Sequence, residues 1–196
     1  MMTLRELGEN LEKLNKAYME LKNKQQKAVV GETVEIAGIT WRILDKLEKG
    51  YLAIAEDFYE NDRKFDSESN NWISSELRSE LNTTLKKKIE DEIGEGGLIE
   101  FERNLLSLDG QAEYGFCMDH VSLINVDEYR KYRKYLPNTK KWWWTLTSYS
   151  TQSNDDSTCL AVVSPAGYIR HNSYNIRNGV RPFCIFSSSI FESEEE

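Results

Sequence analysis

Three consecutive tryptophans, Trp142, Trp143 and Trp144, constrain the fold of this chain more than any other feature. Side chains alternate across a strand, so in an extended segment Trp142 and Trp144 face one way and Trp143 the other. Each indole can bury up to about 250 Å². A fully exposed triplet would invite aggregation, so at least one face of this segment must be core. One ring at the floor of a binding surface is the functional alternative to purely structural rings.

A second rigid landmark follows at Gly179-Val180-Arg181-Pro182-Phe183. Gly179 marks a backbone position that a side chain would obstruct. Arg181 lies between apolar residues and needs a carboxylate or carbonyl partner inside the fold, with ligand contact as the alternative. Between the landmarks the chain is rich in Ser, Asn, Tyr, Thr, Asp and Arg. Tyr149, Asn154, Asp155, Asp156, Tyr168, Arg170, His171, Asn172, Tyr174, Asn175 and Arg177 stand out as candidate ligand-binding residues. Rigid aromatics among short, adaptable polar groups resemble a paratope, whereas the bland reading is an ordinary polar loop region. Short apolar runs at Cys159 to Val163, Tyr168-Ile169 and Val180 to Phe186 predict strands joined by turns.

The first third predicts mixed structure. Leu4, Leu7, Leu11, Leu14, Tyr18 and Leu21 form one narrow apolar seam on a helix over residues 3 to 28, with Thr3 and Glu6 as a capping box. Such a seam is the sequence form of a short coiled coil and predicts a homo-oligomer through residues 4–28; packing on the chain's own domain is the alternative. Gly31 ends this helix. Val34, Ile36, Ile39, Trp41 and Ile43 then alternate around Ala37-Gly38 as a tight hairpin, and Tyr51 to Ala55 read as a third strand. Residues 60 to 70 read as a solvated loop. Ser74 or Ser75 caps a helix to about Ile93, with Leu77, Leu81, Leu85 and Ile89 on one side and Gly94, Gly96 and Gly97 as its stop. A further helix spans Val126 to Leu136, with Pro137 beyond it.

Charge and motif content narrow the function classes. The formal net charge is -8, so counterion release at a phosphate backbone gives nothing, and neither nucleic acid nor an anionic membrane surface is an expected partner. No segment is apolar enough to insert in a membrane, and the N-terminus does not read as a signal peptide. The expected location is the cytoplasm, or a virion if the gene belongs to a phage. Cys117, Cys159 and Cys184 are too few and too far apart for a disulfide framework or zinc site, and read as buried reduced thiols. His120 and His171 support no catalytic triad, and Asp119-His120 reads as a strand-edge surface pair. Asn154-Asp155-Asp156 offers hard oxygens for calcium but reads as a solvated loop. No cofactor is expected and no residue is assigned a catalytic role.

Trp41-Arg42-Ile43-Leu44-Asp45, Trp72, Ser75-Glu76-Leu77-Arg78, Leu81-Asn82, Val121-Ser122-Leu123, the tryptophan triplet and Gly179-Val180-Arg181-Pro182 occur in this order. This set resembles a domain family of unknown function that is widespread in Firmicutes, their phages and prophages. That family is similar to the C-type-lectin-like domains of formylglycine-generating enzymes and of diversity-generating-retroelement variable proteins. The resemblance spans residues 31 to 191. It implies an α+β, C-type-lectin-like head of short antiparallel strands and two helices. Residues 1–30 then form an oligomerisation helix, and residues 192–196 an acidic tail. It further implies a scaffold for variable loops, with Thr145 to Asn178 in the diversified place, and Trp41, Trp72, Arg78, Trp142, Trp143, Trp144, Gly179 and Arg181 as structural residues. Cys159 and Cys184, 25 positions apart, depart from the close copper-binding cysteine pair of the oxidases. Glu-Pro-Asn and Trp-Asn-Asp sugar motifs are absent. The expectation is a binding protein for a protein or cell-surface ligand. A copper or metal oxidase, or a scaffold acting through its N-terminal helix, are the rivals.

Overall fold

The computed structural model describes residues 4–25 and 28–191 of a mixed α+β chain. Helix α1 spans Leu4–Gln25, and its described seam residues Leu7, Leu11 and Leu14 are all exposed, Leu14 to 72 %. Thr3, the side chains of Leu4, Tyr18, Leu21 and Gln25, and the tail 192–196 lie outside the described residues. Gly31, at φ 90°, belongs to the turn that leads into the sheet. Among the described residues no helix is long and apolar enough to cross a membrane.

Strands β1 (Thr33–Ile36) and β2 (Ile39–Lys46) form the expected hairpin. Ala37 and Gly38 both take positive φ, 56° and 66°, as the tight turn requires. Glu92 Oε2 accepts the Ala37 N–H at 3.0 Å and so holds the uncommon alanine conformation. Strand β3 (Gly50–Ala55) pairs with β2 and with β13 (Phe183–Ser187). β13 also pairs with the short β5 (Leu98–Ile99) and β8 (Val121–Ser122), which completes a six-stranded sheet.

A five-stranded sheet runs in the order β11 (Ile169–Ser173), β10 (Cys159–Val163), β9 (Trp143–Ser148), β12 (Arg177–Val180), β4 (Glu60–Lys64). β9 and β12 are parallel and the other pairs antiparallel. A separate ribbon joins β6 (Phe101–Asn104) to β7 (Phe116–Asp119). Residues 60 to 70 therefore do not form the expected solvated loop. Residues 60–64 are an edge strand, and Phe65, Asp66 and Asn70 are buried. Their polar sequence hides buried partners that only the fold supplies.

The helix capped by Ser75 is interrupted. It runs as α2 (Glu76–Glu80), a π turn at Leu81–Leu85, and α3 (Lys86–Ile93). Leu77, Leu81, Leu85 and Ile89 recur every fourth residue, a spacing that drifts by about 40° per step around an α-helix. The wider π turn absorbs part of that drift, and all four side chains are buried. Asn82, inside the π turn, accepts the N–H groups of His120 and Val121 at 3.0 and 3.1 Å and donates to Val121 O at 2.7 Å. Helix α4 (Val126–Tyr132) starts at an Asn125–Glu128 capping box and ends in a 3-10 turn at Arg133–Tyr135.

The core lies on both sides of the central strands. Trp41, Ala53, Trp144, Cys184 and Phe186 belong to one apolar cluster, and Ile54, Trp143, Phe183 and Ile185 to a second. Every residue of β3 and of β9 is buried. Trp143 and Trp144 thus project into different halves of the core. Trp142 departs from the expected alternation: it precedes the strand and is 38 % exposed.

Candidate binding surface

The polar stretch between Trp144 and Gly179 is organised by β10 and β11. The edge strand β11 pairs with β10 in an unbroken register from Cys159↔Ser173 to Val163↔Ile169. Arg170 and His171 are exposed along it and Tyr168 just before it, and the Arg170 guanidinium lies over the Tyr168 ring at 5.6 Å. The Tyr149 and His171 rings meet at 4.9 Å from neighbouring elements. Asn154, Asp155, Asn175 and Arg177 are exposed, while Asp156, Asn172 and Tyr174 are half-buried.

The half-buried members brace the surface from within. Asn172 Nδ2 donates to Asn178 Oδ1 at 3.1 Å, tying the edge strand to β12. The Tyr174 carbonyl accepts Phe65 N–H at 3.0 Å, and its own N–H donates to Thr158 O at 3.0 Å. Tyr174 also packs against the first core cluster. Arg177 donates to the Asp62 carbonyl at 3.0 Å.

Asn70 and Tyr114, not singled out by the sequence, hold the stems of the outer loop. The buried Asn70 amide donates to Ser150 O at 3.0 Å and Cys159 O at 2.8 Å, and accepts the Tyr114 hydroxyl at 2.7 Å. Asn70 N–H also donates to Ser157 O at 2.8 Å. Asp109 accepts Ser150 Oγ at 2.7 Å and Asn154 Nδ2 at 3.3 Å. Hydrogen bonds from Ser107 and Ser150 hold the Asp109 carboxyl below its ordinary range. The neighbouring Thr151 and then Ser153, whose N–H Glu113 accepts at 2.8 Å, do the same for Glu113.

The structural residues form the frame. Trp41 donates its indole N–H to Ile36 O at 3.1 Å and is fully buried. Trp144 donates to Arg63 O at 2.8 Å, and Trp143 packs on Tyr129. A Cβ on Gly179 would meet the Phe58 ring at 2.5 Å, which explains the glycine. Arg181 is fully buried, donates Nε to Ala55 O at 2.8 Å and lies 5.0 Å over the Trp143 ring. Both terminal nitrogens lack a protein hydrogen-bond partner. Burial lowers this guanidinium to about 10, opposed by the charges of Glu56 and Asp57.

Asp119 is not the surface partner of His120 that the sequence predicts. It is buried, and accepts the Trp72 indole N–H and Arg78 Nε, each at 2.7 Å. His120 instead has Nδ1 4.0 Å from Glu100. The three cysteines are free thiols, but only Cys184 is buried as expected, with Cys117 and Cys159 half-buried; desolvation pushes each of them up, Cys117 to about 11. Among the described residues no three His, Cys, Asp or Glu side chains come together to hold a metal ion.

Chemically, the exposed set offers aromatic area, a guanidinium and amide donors and acceptors on a fixed backbone, which is equipment for recognition. No family model, curated protein or solved structure matches the chain.

Proposed function

We propose that this chain is a ligand-binding protein, with a C-type-lectin-like head on a helix that associates with copies of itself. Its outer surface around β11 captures a protein or cell-surface ligand, in the manner of a retroelement variable protein or a phage receptor-binding protein. The observation that supports this most is the contrast within one sheet. Arg170 and His171 on β11, and Tyr168 just before it, are exposed, whereas β9, two strands away, is buried on both faces. Exposed groups on a rigid base lose little conformational freedom on binding. Such positions also tolerate replacement, because the core does not depend on them.

The exposed leucines of α1 favour self-association of that helix. Linked copies convert weak single-site contacts into avidity. Sequencing the gene in independent isolates tests the variable-protein reading. The expected result is variation concentrated in adenine-containing codons between Thr145 and Asn178, with Asn70, Trp143 and Trp144 fixed. Variation spread evenly over residues 31 to 191 would overturn it.

A further inference from the structure

A cleft of about 410 Å³ lies between residues 56–61 and residues 137–141, built from elements other than β11. Its size is that of a small-molecule site. Glu56 and Asp57 line one wall, and Lys140 and Lys141 the other. Phe58 and Pro137 add apolar surface, and Asn138 and Thr139 add polar atoms.

Both walls are fixed in place. Ala55 N–H donates to Pro182 O and Tyr59 N–H to Val180 O, at 2.8 and 2.9 Å. The Phe58 ring sits against Gly179. Across the cleft, Arg133 donates to Leu136 O and to Asn138 Oδ1, each at 2.5 Å. Trp142 O accepts the Gly179 N–H at 2.8 Å, which ties the end of the second wall to β12, the strand against which Phe58 packs.

The charges on these walls are incompletely used. Glu56 is paired with Arg42. Asp57, Lys140 and Lys141 have no ion-pair partner among the described residues, although both signs of charge line the same cleft. Lys141 makes only a long contact to Asn61 O at 3.5 Å. A cleft lined by a carboxylate and two ammonium groups that do not pair with one another complements a molecule that carries both charges.

We propose that this cleft binds a small zwitterion, a dipeptide with an apolar side chain. Its ammonium group faces Asp57, its carboxylate faces Lys140 and Lys141, and its side chain rests on Phe58 and Pro137. This site is independent of the β11 surface and stands or falls separately.

The test is an NMR titration of the full chain with the dipeptide Ala-Phe, up to about 10 mM, the weak end expected of exposed charge pairs. Saturable shifts are expected at residues 56–61 and 137–141. The N-acetylated and C-amidated forms should each bind roughly threefold to tenfold more weakly, and the doubly capped form should not bind. Asp57→Asn and Lys140→Gln with Lys141→Gln should reproduce those losses while leaving the spectrum of the core unchanged. Absence of saturable shifts overturns the proposal. Equal binding of the doubly capped peptide, or shifts confined to Tyr149 and residues 168–171, also overturns it.

Discussion

Asp119 Oδ2 accepts the indole N–H of Trp72 at 2.7 Å, while Oδ1 of the same buried carboxylate takes Nε of Arg78. This clamp joins the loop before α2 to the end of β7. Arg78 also donates to Ile73 O and Met118 O at 3.1 Å, so the guanidinium fastens both segments. Removing the carboxylate leaves a buried indole N–H unpaired and Arg78 without its anion. Arg78 is a quarter exposed, which places the cost toward the low end for broken buried pairs, about 3 kcal/mol. Asp119→Ala should lower Tm by about 6–12 °C in calorimetry. A shift under about 2 °C would show that water replaces the clamp.

Glu60 on β4 titrates unusually. Burial, and then Glu80 beside it, raise its carboxyl from 4.5 to about 7, against the pull of Arg63. Arg63 itself bonds Glu80 at 2.7 Å and stands 4.0 Å from Glu60. A folded-state value above the unfolded one means that the folded chain holds the extra proton. The stabilisation is fully present below 4.5 and is lost as the pH rises through about 7. Melting curves across that window should show wild-type Tm falling relative to Glu60→Gln. Parallel profiles for the two proteins would refute this.

Gly179→Ala should destabilise by about 1–3 kcal/mol, because its Cβ runs into a ring held by the fold. Phe58→Leu in the same chain should recover part of the loss, and chemical denaturation of the two single variants and the double variant measures the coupling. Additive losses would mean that Phe58 is not the obstacle.

Replacing Leu7, Leu11 and Leu14 together with serine should turn an associating chain into a monomer in sedimentation velocity, with the head's melting unchanged. An equally sized species before and after the substitutions would remove self-association through α1 from the account.

Part of this architecture is legible in the sequence because the causes are local. Ala37-Gly38 between alternating apolar residues specifies the first hairpin. Ser75 and the stripe at Leu77, Leu81, Leu85 and Ile89 specify a helix, and that same fourfold spacing holds the signal for the π turn. What stays hidden depends on distant partners. Asp119 stands next to a histidine at the end of a short strand, and its buried partners are Trp72 and Arg78, 47 and 41 positions away. Asn70 looks like one more polar residue in a charged stretch, yet its amide joins carbonyls 80 and 89 positions on. The indole triplet shows that a core strand is present, but not that the strand starts at Trp143 and leaves Trp142 outside. Among the surface candidates, residue type alone does not separate exposed Tyr168 from Tyr174, whose ring packs against the core.

If the groups displayed on the β11 side recognise a ligand without supporting the fold, replacing them should remove binding and spare stability. The most direct measurement combines melting and whole-cell binding for a chain carrying Tyr149→Ala, Tyr168→Ala, Arg170→Ala and His171→Ala. With fluorescently labelled protein on a panel of intact bacterial cells, Tm should stay within about 3 °C of wild type and binding should weaken at least roughly tenfold. A drop in Tm of more than about 10 °C would mean that these residues are part of the core. Undiminished binding by the variant, or no binding by the wild type to any cell tested, would contradict the claim.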